Sequence, residues 1–300
     1  LIAKLRVGFV AVVLAGMTLA LWPLQAISMR RGWRLQRRLP QLWHRIAAPV
    51  AGIRVLTVGA PAAPRPLLIV ANHQSWADIV VLGQAMELSF IAKEEVRSWP
   101  GFGLLARLQR TVFVSRERRR GVGTQADAIA ERLAAGDAMV LFAEGTTSDG
   151  NGVLPFRTAL FGAVEGALKR SGEPEMTVQP VSVAWLAANG LPLGRFGRPL
   201  AAWPGAVPLV PHLPRFLAEG SLTAELRFGR PVRFAAGDDR KALAKACERQ
   251  VRQLLATSLA GHGFRLAPAA EQPARETVLA SSGPEADTAH SADGTFQKGA

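Results

Sequence analysis

The chain has 300 residues, 49% of them apolar, and 36 lysines and arginines stand against 23 aspartates and glutamates, a formal net charge of +13. That length holds one large core with appendages, and so large a positive excess implies a polyanionic partner, either nucleic acid or an anionic membrane surface. Cys247 is the only cysteine, which excludes an intrachain disulfide and a cysteine-based zinc site and leaves no need for an oxidising compartment.

Lys4 and Arg6 precede an uncharged stretch over 7–29, about long enough to cross the roughly 30 Å hydrocarbon layer as a helix. Arg30, Arg31, Arg34, Arg37 and Arg38 follow as a basic collar, suited to the cytoplasmic side and to anionic lipid. A signal peptide, or a half-inserted helix interrupted by Pro23, fits the same residues. The collar argues against export. Residues 1–40 are therefore expected to form a membrane helix with its collar. The stretch 41–53 reads as a short amphipathic segment, lying along the membrane or packed as a core helix.

From 66 onward short apolar runs alternate with helical ones, the pattern of a layered α/β domain extending to about 265. Strands are predicted at 67–71, 88–92, 111–115, 138–142 and 177–184, and helices at 79–84, 123–135 and 158–169. A late strand at 222–228 and a charged helix at 239–257 complete it. Over 266–300 the composition turns to Ala, Pro, Ser, Glu and Thr, too poor in large apolar residues to offset the entropy of ordering, so a disordered tail is expected.

The first stretch able to carry chemistry is Ala71-Asn72-His73-Gln74-Ser75-Trp76-Ala77-Asp78, a corner between a predicted strand and a predicted helix. Positions five apart on a helix diverge by about 140°, so His73 and Asp78 meet only if His73 lies in the loop. Ser75 is then the expected N-cap, and Ser75-x-x-Asp78 has the form of a capping box that ties down a helix end. An imidazole beside a carboxylate is also a general base, because the carboxylate fixes its tautomer and stabilises the cation that forms. The two readings are compatible. Trp76 reads as packing rather than chemistry.

The second stretch is Phe142-Ala143-Glu144-Gly145-Thr146-Thr147-Ser148-Asp149-Gly150. Its turn residues leave amides able to face a phosphate, although a plain turn has the same composition. The spacings of a Walker loop, a dinucleotide fingerprint and a G-x-S-x-G nucleophile elbow are all missing, which argues against nucleotide-binding and serine-hydrolase readings.

Taken in order, these blocks resemble the glycerolipid acyltransferase family that includes the 1-acylglycerol-3-phosphate O-acyltransferases, over a motif core of 66–184. Asn72-His73-x4-Asp78 is similar to the family's N-H-x4-D motif, and Phe113-Val114-Ser115-Arg116 resembles its second block, whose arginine contacts the acceptor's phosphate. Phe142-Ala143-Glu144-Gly145-Thr146 resembles the third, usually F-P-E-G-T-R-S, and Val178-Gln179-Pro180-Val181-Ser182 the proline-centred fourth. Lys93 falls where the family carries a lysine before the Pro100-x-x-Gly103 turn; as a bare residue it also reads as a solvated charge. Ala143 replaces the usual proline, and Thr147 stands where the common pattern has arginine.

The resemblance implies an α/β fold with a membrane-embedded N-terminal helix, and O-acylation of a lysophospholipid at a membrane, on its cytoplasmic face. His73 would be the general base and Asp78 its partner; Arg116, Glu144, Gly145, Thr146, Arg157 and Lys93 would bind substrate. No metal and no cofactor are expected, with acyl-CoA or acyl-carrier protein as co-substrate. The leading acceptor is 1-acyl-glycerol-3-phosphate. Because Thr147 removes a guanidinium from the phosphate's place, lyso-ornithine lipid, whose acceptor hydroxyl lies on an acyl chain, is the alternative. Two readings from other classes stand beside these. A nucleic-acid module is disfavoured because the arginines are scattered rather than set beside aromatic residues, and a non-catalytic lipid-binding anchor would keep the motif without turnover.

Overall fold

The computed structural model describes residues 1–114, 122–205 and 207–261. Arg116, Ser115 and the tail at 266–300 lie outside the described residues.

The uncharged stretch forms α1 (Ile2–Arg31), which runs through Pro23 and stops at Gly32, whose φ of 66° gives a left-handed cap. Its residues are apolar on every side, and a helix of that kind needs cover all round. The protein supplies half of it. Val7, Val10, Leu14 and Met17, three or four residues apart, pack on the core, while Leu5, Phe9, Val12 and Leu19 on the other face stay exposed. Polar contacts bind α1 along its length. Arg6 donates to the carbonyls of Leu217, Ala51 and Gly220, Thr18 accepts from the Trp43 indole, and Gln25 donates to Gln36 and Leu108 carbonyls. From Arg6 to Gln25 is about 28 Å at about 1.5 Å per residue. The helix is long and apolar enough to cross a membrane, and it lies lengthwise on the domain.

α2 (Leu35–Val50) begins inside the collar, earlier than the amphipathic segment expected at 41–53. It is a packed core helix: Leu39, His44, Ala47 and Ala48 are buried. Then follow β1 (Ile53–Val58), β2 (Leu67–Ala71), α3 (Asp78–Ala85), β3 (Ser89–Lys93), α4 (Phe102–Leu108), β4 (Val112–Val114), α5 (Val122–Ala134) and β5 (Ala138–Phe142). A 3₁₀ turn, Thr158–Phe161, leads into α6 (Gly162–Ser171), so only the second part of the helix expected at 158–169 is α-helical. β6 (Glu175–Ala188), β7 (Leu191–Pro192), α7 (Gly194–Gly197), α8 (Leu209–Ala218), β8 (Leu222–Phe228), β9 (Val232–Ala235) and α9 (Arg240–Ala260) finish the described chain.

Among the described residues the strands form one nine-stranded sheet, ordered β1-β8-β6-β2-β5-β3-β4, with β7 and β9 also pairing with β6. β2, at its centre, is parallel to β5 on one side and β6 on the other. Strands covered on both faces read as continuous apolar runs, and all five residues of β2 are buried. Leu67, Ile69 and Ala71 face one core with α2, α3 and α8; Leu68 and Val70 face the other with α5, α6 and α9. This is the layered α/β fold expected from the sequence.

Candidate active site

β2 and β5 are parallel neighbours in a register that sets Ala71 opposite Phe142. Their chains leave the sheet at one level, so the two motif loops meet at the carboxyl ends of the strands, where open α/β sheets form their ligand crevices. Asn72 pins the first loop. Its buried side chain accepts from the Val183 N–H at 2.9 Å and donates to the Val183 carbonyl at 3.0 Å, continuing the ladder to β6 after the backbone has turned away.

His73 lies in the loop and Asp78 opens α3, as the spacing requires. The Nδ1–Asp78 Oδ2 distance is 2.9 Å. The same Oδ2 accepts from the Gln74 N–H at 2.7 Å and the Ser75 N–H at 2.9 Å, and Oδ1 accepts from the Trp185 indole at 3.0 Å. Surrounded by donors, the buried carboxylate is an acceptor only. The proton of the His73–Asp78 bond therefore sits on Nδ1, and the lone pair on Nε2. The ring stacks on Phe142, centroids 3.8 Å apart and planes 12° from parallel. Ser75 is not the N-cap, a place held by Ala77; its hydroxyl accepts from the Ala77 N–H at 3.4 Å. Half of the expected capping box forms, the half in which the Asp78 carboxylate reaches back to the Ser75 amide.

The Glu144 carboxylate is engaged by the backbone of both loops. It is 2% exposed, and its two oxygens accept from the His73 N–H at 2.7 Å and the Leu154 N–H at 2.8 Å. It ties the two loops together. Burial pushes its pKa up to about 7, against the opposing pull of those two amides. Gly145 likewise uses its N–H within the turn, donating to the Phe142 carbonyl at 3.0 Å, at a φ of 68° that favours glycine. Among the described residues, no hydrogen bond engages the amides of Thr146 or Thr147.

His73, Lys93, Gly145, Thr146, Thr147 and Arg157 line one groove of about 1250 Å³, larger than the roughly 300–1,000 Å³ typical of small-ligand pockets. Its wall is mostly apolar and continues past His73 through Phe142 and Phe90 to His44, ring beside ring. α1 contributes Leu21 and Trp22 and α2 contributes Trp43, so the groove opens among the N-terminal helices. Lys93 and Arg157 are exposed at this wall. Trp76 packs on Phe216 and donates to His212 Nδ1 at 3.2 Å, a structural part as expected. Trp185, which braces Asp78 from β6, had no local signal in the sequence; nor did the segment at 203–205, which closes over the second loop. There the Trp203 N–H donates to the Gln74 carbonyl at 2.6 Å. A Cβ on Gly205 would stand 2.7 Å from Thr146 Oγ1 and 3.8 Å from Thr147 Oγ1.

A mostly apolar groove with an imidazole paired to a carboxylate in its wall is an arrangement able to carry out acyl transfer. The Acyltransferase family model matches residues 54–184, and the chain belongs to that family. It is 51% identical to a lyso-ornithine lipid O-acyltransferase of Brucella abortus, over 87% of this chain and 98% of that protein. A protein of Rhizobium meliloti with the same name is 42% identical, over 90% and 92%. A 1-acyl-sn-glycerol-3-phosphate acyltransferase of Neisseria gonorrhoeae is 34% identical, over 67% and 74%. The crystal structure of PlsC, the 1-acyl-sn-glycerophosphate acyltransferase of Thermotoga maritima, shares the fold at a TM-score of 0.55 and 23% identity, over 85% of this chain and 97% of that one.

Proposed function

We propose that this acyltransferase esterifies the free hydroxyl of a lyso-ornithine lipid, using an acyl thioester, acyl-CoA or acyl-carrier protein, as donor. The observation that carries the chemistry is the His73 ring, held by Asp78 through Nδ1 and lining the apolar groove. Nε2 takes the acceptor's hydroxyl proton, and the oxygen attacks the thioester carbon. The tetrahedral intermediate then collapses; the C–S bond breaks, and the thiolate leaves with the proton returned from Nε2. Asp78 offsets the charge on the ring meanwhile. In this reading the amides of Thr146 and Thr147, which line the groove, receive the developing oxyanion, and Lys93 and Arg157 hold an acidic head group.

Two observations favour the lyso-ornithine acceptor over 1-acyl-glycerol-3-phosphate, reversing the order the sequence suggested. The relatives at 51% and 42% identity carry that name. Thr147, 9% exposed, stands where the family's common pattern has arginine, so a phosphate-binding guanidinium is missing from that place in the groove wall. The uncovered face of α1 is read as lying in one leaflet, because the helix is fastened to the domain along its length. The arginine collar supports a reading in which the domain lies at the cytoplasmic face.

A membrane fraction given one labelled acyl donor and both lysolipids side by side tests this. Diacylated ornithine lipid is the expected product, and phosphatidic acid as the main product would overturn the acceptor assignment. His73→Ala is expected to lose about 10²–10⁴-fold in rate; a folded variant with a near-normal rate would refute the general-base role.

A further inference from the structure

The parallel strands have a second end. Arg65 stands two residues before β2, Glu87 two before β3, Arg110 two before β4 and Asp137 immediately before β5. These strands are neighbours in the order β2-β5-β3-β4, so the four residues gather at the amino ends of the strands, across the sheet from His73. Arg37 joins them from α2, and together with Ser89 they line a polar recess of about 150 Å³. Arg132, on α5, bonds to Asp137 and Ser89 beside it.

The charges do not balance. Asp137, 3% exposed, meets Arg37 at 2.8 Å, Arg110 at 3.0 Å and Arg132 at 2.6 Å. Glu87 meets Arg38 at 3.4 Å. Arg65 makes one long bond, 3.5 Å, to the Glu87 carbonyl oxygen. Five guanidiniums, of residues 37, 38, 65, 110 and 132, thus gather around two carboxylates, 87 and 137, and positive charge remains over. Burial, with Arg37 nearby, lowers the pKa of Arg65; burial and then Arg132 lower that of Arg110. Crowded, part-buried guanidiniums of this kind are stabilised by a phosphate oxyanion, whose non-bridging oxygens match their paired N–H donors.

We propose that this recess is a second binding site, for a phosphate group, and that the phosphate is carried by an anionic lipid head group. Arg37 is the link to the membrane: it belongs to the collar of Arg30, Arg31, Arg34 and Arg38, which follows directly on the lipid-facing helix α1. The site fastens the amino end of α2 to the surface while the groove at the other end of the strands works on substrate, and it does not depend on which lysolipid is acylated.

The test uses the full chain in detergent, with inorganic phosphate titrated at constant ionic strength and thermal midpoint as readout. It then uses flotation with vesicles of phosphatidylcholine, with or without phosphatidylglycerol. The R37Q/R65Q protein is compared with R30Q/R31Q, which loses the same charge outside the recess; R65Q alone serves if the first double variant folds poorly. Acyl transfer in detergent, unchanged within twofold, certifies the fold. The expected result is a phosphate midpoint at least tenfold higher in R37Q/R65Q than in wild type, with loss of the phosphatidylglycerol-dependent part of vesicle binding, neither seen in R30Q/R31Q. A phosphate shift without any change in vesicle binding would assign the site to free phosphate and overturn the lipid source. Equal losses in both double variants, or no response to phosphate or phosphatidylglycerol in wild type, would overturn the site.

Discussion

Replacing Asp78 by asparagine separates the charge of the site from its shape. The carboxylate accepts three bonds at Oδ2 and one, from the Trp185 indole, at Oδ1. An amide has one oxygen, and it satisfies most donors by taking the Oδ2 position, facing its NH₂ to the indole N–H. His73 then keeps its Nδ1 proton and its orientation, unlike a triad in which the same exchange reverses the tautomer. What disappears is the negative charge opposite the imidazolium. A hydrogen bond to a charged group is worth about 1.5–3 kcal/mol against about 0.5–1.5 kcal/mol for a neutral one, and losing that difference, about 1–1.5 kcal/mol, from the transition state slows acyl transfer by about 5- to 13-fold. The clash at Trp185 leaves a buried donor unpaired and lowers stability by about 1–3 kcal/mol. The assay is initial rate with a labelled acyl donor at saturating lysolipid, alongside urea unfolding in detergent. A folded D78N protein working at more than half the wild-type rate would refute the idea that the charge serves the reaction, and leave Asp78 as a loop brace alone.

Glu144 and His44 set opposite pH dependences on stability. Burial raises Glu144 from 4.5 to about 7, so the folded state holds a proton that the unfolded state releases, and its stabilisation is present below 4.5 and lost as pH rises to 7. Burial lowers His44 from 6.5 to about 4, so its contribution is present above 6.5 and lost as pH falls toward 4. The stability difference between wild type and E144Q should therefore fall by about 3 kcal/mol between pH 4.5 and 7, read by urea unfolding; a difference independent of pH would exclude the raised pKa. Gly103, in the Pro100-x-x-Gly103 turn, admits no side chain, since a Cβ would lie 2.1 Å from the Arg97 carbonyl oxygen. G103A should lose about 1–3 kcal/mol to overpacking, and an unchanged thermal midpoint would show that the turn gives way freely.

The strands and the first motif were legible because each depends on neighbours in sequence. β2 and β5 are buried on both faces and so are apolar throughout, and the five-residue separation of His73 from Asp78 permits only a loop-to-helix arrangement. Roles set by distant partners were not legible. Glu144 has the chemistry of a substrate ligand, but its partners are backbone amides at positions 73 and 154, and nothing in a side-chain pattern marks an amide. Trp185 reaches Asp78 from a strand more than a hundred residues on. The position of α1 was hidden for the opposite reason: with both faces apolar, composition could not distinguish the face that meets protein from the one left uncovered. α8, with Pro211 and Pro214 among its ten residues, gives a weak helix signal.

The parts of the groove are mounted separately. His73, Asp78 and Glu144 are locked to one another and to the central strands, whereas Lys93 comes from the end of β3, Arg157 from the loop before α6, and the cover over Thr147 from the segment preceding α8. Mutations in these outlying pieces can reshape the wall of the groove while His73 and Asp78 keep their spacing. The pair and the wall around it are therefore free to change independently.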